Sequence, residues 1–578
     1  MMKRIFRSIH KPITENLTFF VFMSFTGLFC ILFEPGFGHR IHAAFNLFFD
    51  LYVLCAVLVL VPARVRRYVR YALYAVFYLV ALVDIVCYVR LGAPLNPLFI
   101  QLVRLTDSRE ATEALSSYLT ADILFSKVGV LLLVIIINVL VGLRKQRQPL
   151  QLRHPVTAGV LISLFLAVCA WVSRDDIAYK YYTMLLQDDH LTTIARHPLE
   201  PKAKYYVPIY RLLFSLNENI RMKDTERGLV NAVGKAKVDS CSFASPNIVL
   251  ILGESCNRQH SSLYGYRLDT TPCQKSRRRR GELIPFSDVV ASWNLTCQSL
   301  QNMLSTRSEG DSGRWYDYPL FPTLFRNAGY RVTFISNQYV IDASQTFSDF
   351  AEDIFINNKQ IDKYNYDARN TATHQYDYAL LNDYRRLRNT HPHQLTIFHF
   401  MGLHGDFNFR YPPQFRHFKP ADYPRNDLTE ADKQILADYD NAMLYNDYVT
   451  DAIIRQFEDK DAIVVFVPDH GERVFDNSTE WGRNLSWDSN DVKQQFDIPF
   501  WIWTSETWRN NHPDTWETIK HVKDRRYMTD AISQFLFHLA GISTPYYTPE
   551  NDILSPAYNE NRKRLIRGER GYDDIVRN

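Results

Sequence analysis

Four stretches of this 578-residue chain are apolar until they end in side chains that bind metals or phosphates. NIVLILGES (247–255) ends in Gly253, Glu254 and Ser255, and YRVTFISNQ (330–338) in Ser336, Asn337 and Gln338. QLTIFHFMGLHG (394–405) runs to His404, and DAIVVFVPDHGE (461–472) to Asp469, His470 and Glu472. Short apolar runs of this kind read as strands buried on both faces, as in a parallel sheet. The carboxyl edge of an open α/β sheet is where such folds hold their ligands. Glu254, Asn337, His404, Asp469 and His470 are therefore expected along one edge.

The chemistry follows from the residue types. Glu254, Asp469 and His470 supply carboxylate oxygens and an imidazole nitrogen, a set that suits Zn²⁺ in a catalytic site with one position kept for the reacting group. Mn²⁺ is an alternative, because ligand type alone does not select among divalent ions. Thiolate coordination is disfavoured, since Cys256, Cys273 and Cys297 lack paired spacing. The reacting group should be a hydroxyl or thiol at a helix start, where free N–H groups and the dipole bind phosphate. FSDVVASWNLTCQSLQNMLS (286–305) supplies a short strand, a polar turn, and helical spacing at Leu300, Met303 and Leu304. Thr296, Cys297, Ser299, Ser255 and Cys256 are the local candidates. Bound to a divalent cation, the Thr296 hydroxyl would be activated by a lowered pKa.

These residues belong to an α/β domain expected over 244–578, and a different composition precedes it. Five apolar segments, at 17–34, 44–62, 70–91, 122–143 and 156–173, approach the ~20 residues needed to cross a bilayer. Basic clusters occur before the first, between the second and third (Arg64 to Arg70), and between the fourth and fifth (Arg144 to Arg153). Five spans put all three clusters on one side, which the positive-inside rule assigns to the cytoplasm, leaving the C-terminal domain outside. No small-residue cleavage site follows Phe33, so a signal peptide is disfavoured. Asp50 and Asp84 lie within or beside spans and are functional candidates by default. The outward loop from Gly92 to Ala121 carries TDSREATEALSSY, an amphipathic helix started by Thr106 or Asp107, with Glu110 at capping-box spacing. The stretch 174–243, with its scattered tyrosines, suits segments lying in the membrane interface. A membrane part diluted by a larger soluble part accounts for the mean hydropathy of -0.22. A net charge of +4 gives no case for a nucleic-acid partner. Arg277 to Arg280 reads as a solvated loop.

GES (253–255), SSLYGY (261–266), TTP (270–272), FSDVV followed by Thr296, MGLHG (401–405), NAMLYND (441–447), DHGE (469–472) and GRN (482–484) form an ordered set. The set, with five preceding spans, resembles the membrane-bound phosphoethanolamine transferases of the alkaline-phosphatase superfamily, over nearly the whole chain. The resemblance implies an alkaline-phosphatase-like α/β domain with a central, mostly parallel sheet, set in the periplasm beyond a multi-pass anchor (1–173) in a bacterial inner membrane. It implies that Glu254, Thr296, Asp469 and His470 bind zinc, that Thr296 becomes phosphoethanolamine-modified, and that His404 binds phosphate or assists proton transfer. Thr106 and Glu110 match residues for the ethanolamine end, and Asn337 is expected to face the substrate. The donor would be phosphatidylethanolamine, and the acceptor lipid A or lipopolysaccharide core.

The chain departs from the pattern where relatives carry a further histidine before the strand that here reads DIPFWIW. Gln494 stands nearest; it can hydrogen-bond a phosphate oxygen but cannot relay a proton at neutral pH. Phosphoglycerol transfer, a sulfatase-like hydrolase and a non-catalytic envelope scaffold are the rival readings. The context of Cys297 argues against a sulfatase nucleophile. Cys241, Cys256, Cys273 and Cys297 fall outside the membrane, where pairing is allowed, with three connectivities open. The nearness of Cys256 and Cys297 to Glu254 and Thr296 suggests one bridge beside the site.

Overall fold

The computed structural model describes residues 6, 8–32, 37–91, 95, 121–143, 151–172, 174, 208–338, 356, 359–484 and 486–576. Two compact units divide the chain: Met1–Lys223 with Thr346–Ala351, and Asp224–Gln345 with Glu352–Asn578. Thr106 and Glu110, and the loop that carries them, lie outside the described residues.

Apolar helices make up the N-terminal unit: α1 (Leu17–Ile31), α2 (Phe37–Leu60), α3 (Ala63–Leu91), α4 (Lys127–Leu143) and α5 (Pro155–Val172), with the start of α6 (Pro208–Lys235). Three stretches are long and apolar enough to cross a membrane: Arg40–Leu60, Ala63–Val89 and Pro155–Val172. The other two apolar stretches, Leu17–Ile31 and Lys127–Val141, are shorter. At 1.5 Å per residue the 15 residues of α1 reach roughly 22 Å, less than the ~30 Å hydrocarbon core. Of the five expected spans, then, three meet the length requirement among the described residues.

The polarity of this unit runs opposite to that of a soluble bundle. Leu79, Leu161 and Trp171 are more than 60% exposed, while Asp84 and Arg211 are buried. The Asp84 carboxylate accepts from Arg211 Nε at 2.7 Å and from the backbone N–H of Leu95 at 3.1 Å, and Arg211 Nη2 pairs with its second oxygen. The adjacent Tyr210 donates to Asp50 at 2.6 Å. Both acids singled out in the sequence are thus held by neighbouring residues near the start of α6.

The second unit is built on a seven-stranded sheet. Its elements in chain order are β1 (Asn247–Gly253), α7 (Pro272–Arg279), β2 (Leu283–Phe286), α8 (Thr296–Leu304), β3 (Arg331–Ser336), β4 (Ala368–Arg369), β5 (Gln394–His399), α9 (Glu430–Ile454), β6 (Ala462–Pro468), α10 (Ser489–Phe496) and β7 (Phe500–Thr504). The spatial order is β2-β7-β6-β1-β5-β3-β4, with β1 at the centre. Residues of β1 alternate between two cores: Ile248, Leu250 and Leu252 face one, Val249 and Ile251 the other. This two-sided burial is why the strand reads as continuously apolar.

The sheet is mixed, with four of its six strand pairings parallel and two antiparallel. β1, β3, β4, β5 and β6 pair in parallel, whereas β7 runs antiparallel to both β6 and β2. After β6 the chain re-enters through α10 at the edge it has just left, so β7 must run back along β6. Two expectations are corrected. Arg277 is the buried end of α7, not part of a solvated loop: it pairs with Asp451 at 2.7 Å, Glu458 at 2.8 Å and Glu282 at 3.2 Å. No bridge forms beside the site, because neither Cys256 nor Cys297 is in a disulfide. Cys256 packs in the core that contains Met443 and Cys297 in the core on the opposite face, so the sheet separates them.

Removing one member of a buried ion pair strands the other charge and typically costs about 3–5 kcal/mol. Asp84→Leu is therefore expected to destabilise the detergent-solubilised protein by that amount, and the double variant Asp84→Leu/Arg211→Met to recover most of it. Thermal unfolding of the two variants checks this; equal losses in both would contradict it.

Candidate active site

Parallel pairing of β1 with β6 places Gly253 opposite Pro468, so the next residues, Glu254 and Asp469, leave the sheet side by side. The backbone N–H of Asp469 donates to Gly253 O at 3.0 Å, and that of Cys256 to His470 O at 2.8 Å. Glu254, Asp469 and His470 are all completely buried. One ligand atom from each lies within 4.8 Å of the others. Gly471 permits the turn that follows: a Cβ there would stand 2.2 Å from the carbonyl oxygen of Gln494.

Thr296 opens α8, whose first-turn N–H groups have no intrahelical partners. Its Oγ1 lies 3.1 and 3.3 Å from the two Glu254 oxygens and 3.2 Å from His470 Nε2. Ser299, one turn on, ties the helix to the β6 edge by donating to Asp469 O at 2.5 Å. His470 Nδ1 lies 2.7 Å from Gly471 O. A carbonyl only accepts, so Nδ1 carries the proton and Nε2 presents a lone pair to the cluster.

Electrostatics keep these groups in ligand form. Burial, reinforced by Arg483, pushes His470 down to about 3, so its ring is neutral. Burial alone would raise Glu254, yet His470, His404 and Arg483 together hold its carboxyl well below the ordinary range. Burial and the neighbouring Glu254 drive Asp469 upward instead. Asp469 Oδ2 has no hydrogen-bond partner among the described residues and stands 3.1 Å from His470 Nε2. An orphaned carboxylate oxygen, an unprotonated imidazole nitrogen, a second carboxylate and a hydroxyl in one cluster form the donor set of a tetrahedral zinc site, and the residues fit that ion.

His404 arrives on the loop after β5. The Leu403 N–H donates to Glu254 O at 3.1 Å, and Arg410 Nε donates to His404 O at 2.9 Å. Gly402 makes this approach possible. Its φ is +51°, and a Cβ would lie 3.0 Å from the Cβ, N and O of Glu254. Buried Asp377 holds the same loop by accepting the N–H groups of Met401 and Gly402 at 3.0 and 2.8 Å.

Two expected substrate contacts are engaged elsewhere. Asn337 donates to Asp377 at 2.8 Å and accepts from the His374 N–H at 2.6 Å, so its amide braces the loop. Gln494 is fully buried, donates to Asp476 O at 2.8 Å and accepts from Val474 N at 3.2 Å. Two other residues reach the cluster. Gln338 Nε2 donates to Glu254 at 2.8 Å and to Phe400 O at 2.6 Å. Arg483 Nη1 donates to His470 Nε2 at 2.8 Å and lies 3.4 Å from Thr296 Oγ1. Gln338 had a signal, the polar end of a strand; Arg483 had only the GRN run, which no strand end marks.

Behind the cluster, α9 braces the loop after β1. Tyr439 donates to Ser255 O and accepts from Asn257 N, both at 2.8 Å. Buried His260 lies between Asp440 at 2.6 Å and Asp476 at 3.2 Å. Burial works against the charged ring, yet Asp476 and Asp440 lift His260 to about 10.

The family model described as Sulfatase matches residues 246–542. The chain is similar to phosphoethanolamine transferase EptC of Escherichia coli strain K12, 28% identical over 466 residues, which cover 79% of this chain and 77% of that one. It is also similar to phosphoethanolamine transferase CptA of Salmonella typhimurium strain LT2, 28% identical with the same coverage. Among solved structures, the C-terminal periplasmic domain of Escherichia coli EptC in complex with Zn aligns at a TM-score of 0.50 and 28% identity, covering 59% of this chain and 95% of that one.

Gly402→Ala is expected to destabilise the protein by about 1–2 kcal/mol, the left-handed backbone adding to the contact with Glu254. Gly405→Ala, with nothing within 4 Å of its Cβ, is the neutral control; similar melting temperatures for the two variants would contradict the account. His260 titrates near 6.5 unfolded and about 10 folded. Its contribution is therefore complete below pH 6.5 and is lost as pH rises through about 10. Melting temperatures from pH 6 to 10 should fall more steeply for the unaltered protein than for His260→Gln.

Proposed function

The chain belongs to the sulfatase family, and on that premise we propose that it is a metal-dependent phosphoethanolamine transferase of the bacterial inner membrane. Its five apolar segments cross the membrane and its catalytic domain faces the periplasm. The donor is phosphatidylethanolamine, and the acceptor is lipid A or lipopolysaccharide core. One observation carries the reading: the hydroxyl of Thr296, at a helix N-terminus, contacts Glu254 and His470 Nε2, which form one buried cluster with Asp469. The names of the EptC and CptA relatives support the transferred group, and apolar helices suit an enzyme whose substrates are lipids.

Glu254, Asp469, His470 and Thr296 would hold the ion, and the zinc-bound periplasmic domain of EptC makes zinc a better choice than manganese. A zinc ion there would lower the pKa of the Thr296 hydroxyl and offset charge on phosphoryl oxygens. Thr296 Oγ, its proton given up to solvent, attacks the donor phosphorus. The bond from phosphorus to the diacylglycerol oxygen breaks, and that oxygen keeps the electron pair and takes a proton, a step His404 assists. An acceptor hydroxyl or phosphate oxygen then attacks the phosphothreonine, and Thr296 Oγ leaves with its bonding pair and is reprotonated. Thr106 and Glu110 are assigned to the ethanolamine end, where a carboxylate suits an ammonium group. The side chain of Cys297 takes a hydrogen bond from Gln301 and packs in the core, which favours Thr296 over a cysteine-derived nucleophile.

Incubation with phosphatidylethanolamine should leave a phosphoethanolamine adduct on Thr296, seen by intact-protein mass spectrometry and peptide mapping. Thr296→Ala should lose the adduct and on the order of 10⁴-fold of activity. A Thr296→Ala variant that keeps full transfer activity, or an adduct formed from phosphatidylglycerol in preference, would sink the reading.

A further inference from the structure

Arg483 is the charged group nearest the nucleophile that the ligand set does not use. Its Nη1 stands 2.8 Å from His470 Nε2, 3.4 Å from Thr296 Oγ1 and 3.9 Å from Glu254, and its Nε is 3.7 Å from Glu472. The side chain is 13% exposed, so it sits with Thr296 on the open side of a cluster in which Glu254, Asp469 and His470 are fully buried. In this structure the guanidinium engages the nitrogen lone pair that would bind a metal. A permanent cation beside a dication site weakens metal binding, so metal retention by itself gives no reason to place one there. A cation here becomes favourable when an anion arrives between it and the metal.

The backbone on both sides of Arg483 is fixed by side chains that serve no other part of the cluster. Arg473 takes the Gly482 N–H on its carbonyl oxygen at 3.0 Å and returns an Nε bond to Gly482 O at 2.7 Å. Buried Gln495 accepts the Asn484 N–H at 2.9 Å, and buried Asn294 donates to Asn484 O at 2.7 Å. This much preorganisation of one partly exposed arginine is characteristic of a group that meets a ligand.

We propose that Arg483 is a catalytic residue that binds the non-bridging oxygens of the donor phosphodiester, swinging off His470 when metal occupies the cluster. The planar fork of guanidinium matches two oxygens on one phosphorus, which a point charge cannot do. Charge on those oxygens grows as Thr296 Oγ bonds to phosphorus, and Arg483 binds that state more tightly than the ground state. The assignment rests on the transferase reading above and names the residue that recognises the phosphodiester.

The test uses the full-length, detergent-solubilised protein with Arg483→Gln and Arg483→Lys. Zinc affinity, measured by chelator competition, should be at least as tight in Arg483→Gln as in the unaltered protein, because a competing cation has gone. Inorganic phosphate should bind the zinc-loaded Arg483→Gln variant at least ~10-fold more weakly, and kcat/KM should fall by about 10²–10³-fold, the usual effect of removing one transition-state donor. Arg483→Lys should recover only part of the phosphate affinity. Loss of zinc binding in Arg483→Gln would make the arginine a support for the metal ligands and overturn the proposal, as would unchanged phosphate affinity. Absence of a Thr296 adduct in the unaltered protein would instead overturn the transferase reading, so the two failures are distinguishable.

Discussion

The site depends on one constraint: two carboxylates and an imidazole are buried together where the parallel strands β1 and β6 end. Sheet register enforces it, since Gly253 and Pro468 face each other and Glu254 and Asp469 can only emerge as neighbours. Adjacent buried carboxylates repel, and the consequences are visible in opposite displacements. Glu254 is held ionised by the basic side chains around it, while Asp469 is driven toward its neutral form. A divalent cation resolves this conflict for both at once. The surrounding groups follow the same logic: His470 is locked in the tautomer that aims its lone pair inward, and Thr296 is anchored through α8 to the edge that carries Asp469.

Around that cluster the fold invests in loops rather than strands. Gly402 lets the His404 loop lie on the backbone of Glu254, and Asp377, itself braced by Asn337, grips the amides of that loop. Tyr439 and Asp440 of α9 hold the segment after β1 from the opposite direction. Each device spends a buried, fully bonded polar group on positioning, which is why the site borders so many buried side chains that never touch the ligand atoms.

Several residue roles changed between sequence and structure, each for a geometric reason. Asn337 and Gln338 are adjacent at the end of β3, and alternation along the chain turns one toward Asp377 and the other toward Glu254. Gln494 and Gln495 divide in the same way: the first satisfies the backbone of the 474–476 turn and the second supports Asn484 beside Arg483. Both ends of the Gln494 amide are thus bonded to that turn. Arg277 looked solvated within a basic run, but α7 packs it against Asp451 and Glu458, which are remote in sequence.

The strand positions, the ligand-bearing strand ends and the apolar helices were legible from the sequence alone, because each depends on local periodicity and composition. β1 spans Asn247–Gly253 and β6 Ala462–Pro468, inside the runs read from apolarity. Glu254, Asp469 and His470 stand out because strand ends expose their side chains at one edge, whereas Thr296 is separated from Cys297, Ser299, Ser255 and Cys256 in the sequence only by the resemblance to the transferases. Tertiary structure alone decided which of two neighbouring amides faces the cluster, the antiparallel return of β7, the separation of Cys256 from Cys297 by the sheet, and the arrival of Arg483. Those outcomes depend on contacts between segments far apart in the chain, and no local pattern of residues encodes them.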